Sequence, residues 1–282
     1  MTIISKLITS AFVIATMLIP AATPSLASAA SYVAPPVVPS AAPNATDGPL
    51  CEFGSCYDYV FGRQIFSTSN GATVSTLVAD PQLNHNFNLE HSLQELSVQN
   101  TAGTNTVEVG WIVDHNLNGD YLPHLFVFYW VNGVGECYNE RCSGFVQTST
   151  TLKPGDALAV GSTANIGLVL VNGNWQVQIN GTQIGFFPGS LWNGAFNQGQ
   201  QITAFGEVAM DGTDIPSCTQ MGNGQFGTSS NSSWMSNFQL RGASVASDLT
   251  VTSRDPAFYN QGSVTATGFH LGGPGSNTTC NP

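Results

Sequence analysis

The sequence predicts an all-β protein, an antiparallel β-sandwich of jelly-roll or concanavalin-like type preceded by a flexible N-terminal leader. Segments such as Thr106–Val113 alternate apolar and polar residues with a period of two, as half-buried strands do. Asn-Gly pairs interrupt the strand-like segments and are typical of tight hairpin turns. No amphipathic helical pattern of ordinary length is present, and the 30 glycines disfavour a helical bundle.

The predicted strands follow one another along the chain. His124–Val131 is a continuous apolar and aromatic strand that stops at an Asn-Gly pair. Residues 165–171 and 174–179 flank a second Asn-Gly pair and therefore predict a hairpin. Residues 202–210 alternate again and predict a further strand.

The first 29 residues are predicted to be a signal peptide. Lys6 gives a weakly positive start, the apolar run 7–20 is too short to span a bilayer, and Ala27-Ser28-Ala29 fits a cleavage site. Residues 30–50 are rich in proline and alanine and predict a leader or short pro-segment. Residues 51–282 are then expected to form a single β-sandwich domain of a secreted, extracellular protein.

The charge composition restricts the partners of the chain. Only 8% of the residues are charged, where a soluble domain usually carries about 25%. Six Lys and Arg against seventeen Asp and Glu give a net charge of −11, which argues against nucleic acid because its phosphates need rows of cations. No later apolar run reaches eighteen residues, so no membrane partner is expected. We expect a monomer without a cofactor.

Six cysteines fit an oxidising compartment. Cys51 and Cys56 are five residues apart, as are Cys137 and Cys142, so local pairing predicts two small disulfide loops. Cys218 and Cys280 would then form a third disulfide, although six cysteines allow fifteen connectivities. Zinc is a poorer interpretation because neither short pair has C-x2-C spacing.

Two further motifs resemble ligand-binding sequences but also have a purely structural interpretation. Residues 114–120 (DHNLNGD) copy the opening of a calcium loop, but Leu125 stands where the bidentate Glu belongs, and a polar turn explains the motif equally well. Gly222, Gly224 and Gly227 form a lone G-x-G-x-x-G without a strand–helix unit, so no dinucleotide site is expected. No metal ion is predicted.

Two glutamates interrupt predicted strands in a chain with few charges. Glu108 lies between Val107 and Val109, and Glu207 lies between Gly206 and Val208. Most strand glutamates simply face solvent. The alternative is that both line one face of a sheet, where two carboxyls divide acid and base roles because proximity separates their pKa values.

Seven segments in this order resemble the neprosin family, secreted glutamic peptidases that cleave after proline. The resemblance covers about residues 85–240, and its segments are SLQELSVQN, VEVGWIV, GDYLPHLFVFYW, ECYNERCSGFVQ, IGFFPGSLW, FGEVAMDG and TQMGNGQF. It implies a β-sandwich, catalytic glutamates at Glu108 and Glu207, a Cys137–Cys142 disulfide, and proline-containing peptide or protein substrates. A pair of carboxylates that share one proton predicts activity at acidic pH.

The sequence departs from the family pattern at two places. The usual W-G-G-E reads Ala204-Phe205-Gly206-Glu207, so only its last two positions match. Residues 30–50 are the only segment that corresponds to the long N-terminal activation domain of plant members, so the sequence does not predict zymogen control by such a domain.

The predicted mechanism needs one ionised Glu to activate a water. It also needs one protonated Glu, which hydrogen-bonds the oxyanion and then helps to protonate the leaving nitrogen. Gln200, just before the second strand, is a candidate oxyanion donor, or else an exposed residue of a polar loop. Four aromatic residues offer a slot for a proline ring, although strand aromatics are more often core: Trp111, Phe128, Trp130 and Phe205.

Two other classes of protein remain open from the residues alone. A sandwich with paired carboxylates suits a glycoside hydrolase. It equally suits a non-catalytic glycan-binding module that uses surface Trp and Asn.

Overall fold

The computed structural model describes residues 48–52, 54–276 and 280, which lie in one unit, Val33–Pro282. The predicted signal peptide and most of the leader lie outside the described residues. Within the described residues, sixteen β-strands form two antiparallel sheets of eight strands each. This confirms the predicted all-β sandwich.

The first sheet contains the segments that carry the conspicuous glutamates. In spatial order its strands are β1 (Leu50–Glu52), β2 (Ser55–Ser69), β12 (Gly199–Asp211), β4 (His91–Gln99), β5 (Thr106–Val113), β6 (His124–Val131) and β7 (Val134–Gly135), with β14 (Thr250–Ser253) paired to β2.

The second sheet contains the predicted hairpin. In spatial order its strands are β15 (Asn260–Thr265), β16 (Gly268–Gly272), β13 (Ser233–Leu240), β3 (Gly71–Leu77), β9 (Thr163–Val171), β10 (Asn174–Ile179), β11 (Thr182–Phe187) and β8 (Val146–Gln147). A four-residue helix α1 (His115–Asn118) and a 3-10 helix Gly189–Trp192 connect strands.

The predicted turns explain the tight hairpins. Asn132, Asn172 and Asn180 all have a φ near +50°, and each is followed by a glycine with a φ near +80°. These are the left-handed conformations that a two-residue type I′ turn requires and that Asn-Gly adopts readily. The β9–β10 hairpin around Asn172 is therefore confirmed.

The core lies between the two sheets, and alternation decides which residues enter it. On β5 the odd-numbered residues face the second sheet. The first sheet contributes, among others, Leu96, Val98, Val107, Val109, Trp111, Val113 and Val127, and the second contributes Val74, Ile166, Leu168, Trp175 and Val177. The opposite face of the first sheet, here called the site face, is therefore free to carry polar residues.

Three disulfides are present: Cys51–Cys56, Cys137–Cys142 and Cys218–Cys280. They are the pairs that the local spacing predicts. The last one joins the C-terminal end of the chain to a loop 62 residues earlier. Among the described residues, no helix is long and apolar enough to cross a membrane.

Candidate active site

The strand register brings three glutamates onto the site face. Strand β4 lies between β12 and β5, and its Glu95 pairs with Phe205 on one side and with Gly110 on the other. Glu207 is two residues from Phe205, and Glu108 is two residues from Gly110. Because paired residues share a face and side chains alternate along a strand, Glu108, Glu95 and Glu207 all point to the same side.

All three carboxyls are buried, with exposed fractions of 1–3%. They are buried although they point away from the second sheet. One of the two sheets is a curled half-barrel.

Sequence reasoning missed Glu95. The residue stands in an alternating strand of a chain with few charges, which is the same signal that drew attention to Glu108 and Glu207. Its segment was noticed only as part of the family resemblance. Glu95 has Leu96 on one side but the polar Gln94 on the other, so its immediate neighbours give a weaker signal than those of Glu108.

Trp130 orients the carboxyl of Glu108. The indole Nε1 of Trp130 donates a hydrogen bond of 3.1 Å to Glu108 Oε1. Phe128 pairs with Glu108 across β5 and β6, and its ring meets that of Trp130 edge-on at 5.8 Å. The predicted aromatic slot residues on β6 therefore do lie beside Glu108.

Glu207 has two hydrogen-bond donors of its own. His91 Nε2 lies 2.9 Å from Glu207 Oε1. Tyr59, which pairs with Glu207 across β2 and β12, also hydrogen-bonds its carboxylate. The ring of Phe205 meets the ring of Tyr59 edge-on at 6.0 Å. Glu207 thus lies in a more polar surrounding than Glu108.

These surroundings shift the pKa values of the two carboxyls to different degrees. Burial raises the pKa of Glu108 well above its usual range, the charge of Glu207 adds to the effect, and the Trp130 hydrogen bond opposes it. Burial also raises the pKa of Glu207, but the hydrogen bond and charge of His91 and the hydrogen bond of Tyr59 counteract it. Glu207 is therefore the carboxyl that ionises more easily.

The pKa of Glu95 is also well above its usual range. Burial is the main cause, followed by the charges of Glu108 and Glu207. Its Oε1 has no hydrogen-bond partner among the described residues. Ser97 Oγ and Thr203 Oγ1 are likewise buried without a described partner. Ser97 pairs with both Thr203 and Glu108, so these hydroxyls lie on the site face beside the carboxyls.

The structure contradicts the proposed role of Trp111. Its side chain is fully buried between the sheets, and its Nε1 donates to Leu77 O at 2.9 Å. Trp111 is three residues from Glu108 on β5, and an odd separation places two side chains on opposite faces of a strand. It belongs to the core and cannot contact a substrate at the glutamates.

The structure also contradicts the role of Gln200 as an oxyanion donor. Its Oε1 accepts from Thr101 N at 3.0 Å, and its Nε2 donates to Ser67 O. The side chain therefore links the start of β12 to two neighbouring segments. Seven residues of strand separate it from Glu207, which is about 23 Å. Polar composition near the second glutamate was therefore a misleading signal.

The calcium-like segment is used for hydrogen bonds within the chain. Asp114 Oδ1 caps helix α1 by accepting from Leu117 N at 2.9 Å. Asp120 Oδ1 accepts from Leu122 N and bonds His124. Within the part of the chain that the structure describes, no group of three or more His, Cys, Asp or Glu side chains is arranged to hold a metal ion.

The fold is similar to several solved structures at low identity. A scytalido-glutamic peptidase with a peptide-based transition-state analogue has 10% identity and a TM-score of 0.44, covering 77% of this chain and 98% of that one. A member of the eqolisin peptidases bound to the tripeptide Ala-Ile-His has 10% identity and a TM-score of 0.40 over the same shares. A homodimeric agglutinin from chicken liver has 12% identity and a TM-score of 0.30, covering 54% and 92%.

Likenesses at such scores carry no conclusion about function. The match to a sequence family is more informative, because the family model described as Neprosin covers residues 88–274. That range contains Glu95, Glu108, Glu207 and the Cys137–Cys142 loop. The match confirms the resemblance seen in the sequence motifs, and the chain belongs to the neprosin family.

Proposed function

We propose that this protein is a secreted glutamic endopeptidase that cleaves peptide bonds after proline at acidic pH. Membership of the neprosin family supports a peptidase of glutamic type. The observation that carries the proposal is the placement of Glu108 and Glu207 on one buried face with different hydrogen-bond donors. The three disulfides fit an extracellular protein.

The surroundings of the two carboxyls support a different role for each. Glu207, bonded by His91 and Tyr59, is the general base, because donors to a carboxylate favour its ionised form. Glu108, in an aromatic surrounding and close to the charge of Glu207, is the carboxyl that stays protonated and donates.

The reaction then follows from proton positions. Glu207 removes a proton from water, and the water oxygen bonds to the scissile carbonyl carbon. The carboxylic acid of Glu108 hydrogen-bonds the oxygen that becomes negative. As the carbon–nitrogen bond breaks, the leaving nitrogen takes the proton that Glu207 holds. No cofactor takes part, and both carboxyls return to their starting protonation.

Ser97 and Thr203 replace Gln200 as candidate oxyanion donors. Both hydroxyls are buried on the site face, and neither has a described hydrogen-bond partner. A hydroxyl that is already desolvated interacts strongly with developing charge, because little solvent competes for it.

A cavity of about 470 Å³ over strands β2 and β14 offers room for substrate. Phe61 and Arg63 on β2 line it, together with Thr250 and Thr252 on β14. Phe61 pairs with Phe205, which is two residues from Glu207, so one wall of the cavity lies on the strand next to the one that carries Glu207. We propose that an extended segment of a proline-containing peptide or protein binds along this face to a monomeric enzyme.

The test is digestion of a proline-rich peptide at pH 3–5 with a metal chelator and a serine-protease inhibitor present. The wild-type protein should cleave on the carboxyl side of proline, as mass spectrometry of the products would show. Glu108→Gln and Glu207→Gln should each lower kcat by about 10²–10⁴-fold, because Gln has nearly the same shape but cannot exchange a proton. Glu140→Gln, at an exposed glutamate, is the matched control and should retain full activity.

A different experimental result would contradict each part of the proposal. Cuts without regard to proline would remove the specificity and leave the mechanism. A glutamate variant with more than a tenth of the wild-type kcat would remove that residue as acid or base. Activity on polysaccharide alone would favour a glycoside hydrolase, and binding without turnover would favour a glycan-binding module.

A further inference from the structure

His91 connects Glu207 to a second buried acid. His91 is the first residue of β4 and pairs with Ala209, two residues from Glu207. Its side chain is 3% exposed, and its Nε2 is 2.9 Å from Glu207 Oε1. On the other side of the ring, His91 Nδ1 is 3.9 Å from Asp114 Oδ2. The imidazole thus lies between the carboxyl of Glu207 on β12 and that of Asp114, which directly follows β5.

Asp114 is held in a fixed position. Its other carboxylate oxygen accepts from Leu117 N as the N-cap of α1, and the residue directly follows β5. Oδ2 is therefore directed at His91 by the helix cap. Two carboxyls that flank a buried imidazole stabilise its protonated form, since each attracts the positive charge in a place that water does not screen.

The acidic groups around His91 all raise the pKa of its imidazole. Burial by itself would lower the pKa of His91, but the hydrogen bond and charge of Glu207 and the charges of Asp114 and Glu90 raise it above 6.5. The remaining titratable neighbour is Tyr57, whose ring lies 6.4 Å from the imidazole. An imidazole of this kind carries its proton throughout the acidic range.

We propose that His91 is a positioning residue that, supported by Asp114, holds Glu207 in its ionised form at acidic pH. The proposal rests on the proposed peptidase function, in which Glu207 is the base. A base must lose its proton to work, and burial of Glu207 opposes this. An imidazolium 2.9 Å away counteracts part of the effect of burial and extends activity to lower pH than Glu207 would reach without it.

The kinetic test is His91→Gln, which keeps an N–H donor but removes the charge. An opposite charge at this distance changes the pKa of a carboxyl by about 1–3 units. The acid limb of the kcat–pH profile should therefore move upward by about 1–3 pH units, while kcat on the plateau changes less. His115→Gln, at an exposed histidine of α1, is the control and should leave the acid limb in place. A uniform loss of kcat with an unmoved acid limb would show a merely structural role and overturn the proposal.

A second measurement needs neither substrate nor a folded His91 variant. In the wild-type protein with ¹⁵N-labelled histidine, NMR should show one imidazole that titrates above pH 6.5. In Glu207→Gln the same imidazole should titrate at least about one unit lower, because its main partner has lost its charge. A His91 that titrates at or below 6.5 in the wild type, or that is unchanged in Glu207→Gln, would overturn the proposal. Absence of cleavage by the wild type would instead contradict the proposed function and leave this measurement valid.

Discussion

Asp58 makes the stability of the fold depend on pH in an unusual direction. The residue lies on β2 with 1% exposure, and its Oδ1 accepts from Tyr59 N at 2.8 Å. Burial raises the pKa of Asp58 from an ordinary 3.8 to about 7, opposed by the backbone hydrogen bond from Tyr59. The folded protein therefore binds a proton at Asp58 more tightly than the unfolded chain does.

The sign follows from proton linkage. Between pH 4 and pH 7 the folded state holds more protons than the unfolded state, so the free energy of unfolding decreases as the pH rises. The stabilisation is fully present below the unfolded pKa and is lost as the pH approaches about 7. A difference of one pKa unit between the folded and unfolded states corresponds to 1.36 kcal/mol of the free energy of unfolding. The rise in the pKa of Asp58 from 3.8 to about 7 therefore contributes about 4 kcal/mol at most.

The perturbation is Asp58→Asn, which keeps an oxygen that accepts from Tyr59 N and has no ionised form. We expect the variant to be more stable than the wild type at pH 7 by about 2–4 kcal/mol and nearly equal to it at pH 4. Urea unfolding followed by circular dichroism at both pH values measures the difference. Asp80→Asn, at an exposed aspartate, is the control for removal of a surface charge. An equal effect of Asp58→Asn at pH 4 and pH 7 would refute the linkage argument.

Three further predictions concern the site and the scaffold. Glu95→Gln should leave the alkaline limb of the kcat–pH profile in place, because burial and the charge of Glu207 raise the pKa of Glu108, whereas Glu95 stays protonated beside the charges of Glu108 and Glu207; a limb that moves downward would contradict this. Thr203→Val should lower kcat by about 10²-fold with little change in KM if its hydroxyl stabilises the oxyanion, and a full kcat would exclude that role. Replacing the Cys218–Cys280 pair by serine opens a loop of 62 residues and should lower the free energy of unfolding by about 4 kcal/mol, seen as a lower midpoint in urea; an unchanged midpoint would contradict it.

Together these properties lead us to expect an acid-tolerant protein. Five Lys and Arg remain after the predicted signal peptide, so few ion pairs are lost when carboxylates become protonated. Circular dichroism and peptide turnover measured between pH 2 and pH 8 should show a folded protein near pH 3 and a bell-shaped activity centred below pH 7. Unfolding at pH 3 or an optimum above pH 7 would contradict this expectation.

The sequence by itself determined the local structure. Period-two alternation located β5, and the continuous apolar run located β6 at its observed bounds. Asn-Gly pairs located the β9–β10 hairpin, because only a few residues adopt left-handed conformations readily. The five-residue spacing also anticipated both short disulfides. All of these features depend on neighbours within about ten residues.

Alternation along β5 already argues from the sequence against Trp111 as a residue that contacts substrate. It places Trp111 and Glu108 on opposite faces, and the structure buries Trp111 between the sheets. On β6 every residue is apolar or aromatic apart from the first, so the pattern did not show that Trp130 faces Glu108. A strand that is buried on both faces gives no periodic signal from which to assign them.

Only the tertiary structure decided which glutamates share a site. Strand β12 inserts between β2 and β4, which places Glu207 diagonally across from Glu95 and brings Glu108 to the next strand. His91 reaches Glu207 across 116 residues of sequence. Pairing between distant strands is set by burial of the whole sheet and by loop closure, and no short segment of the sequence encodes it.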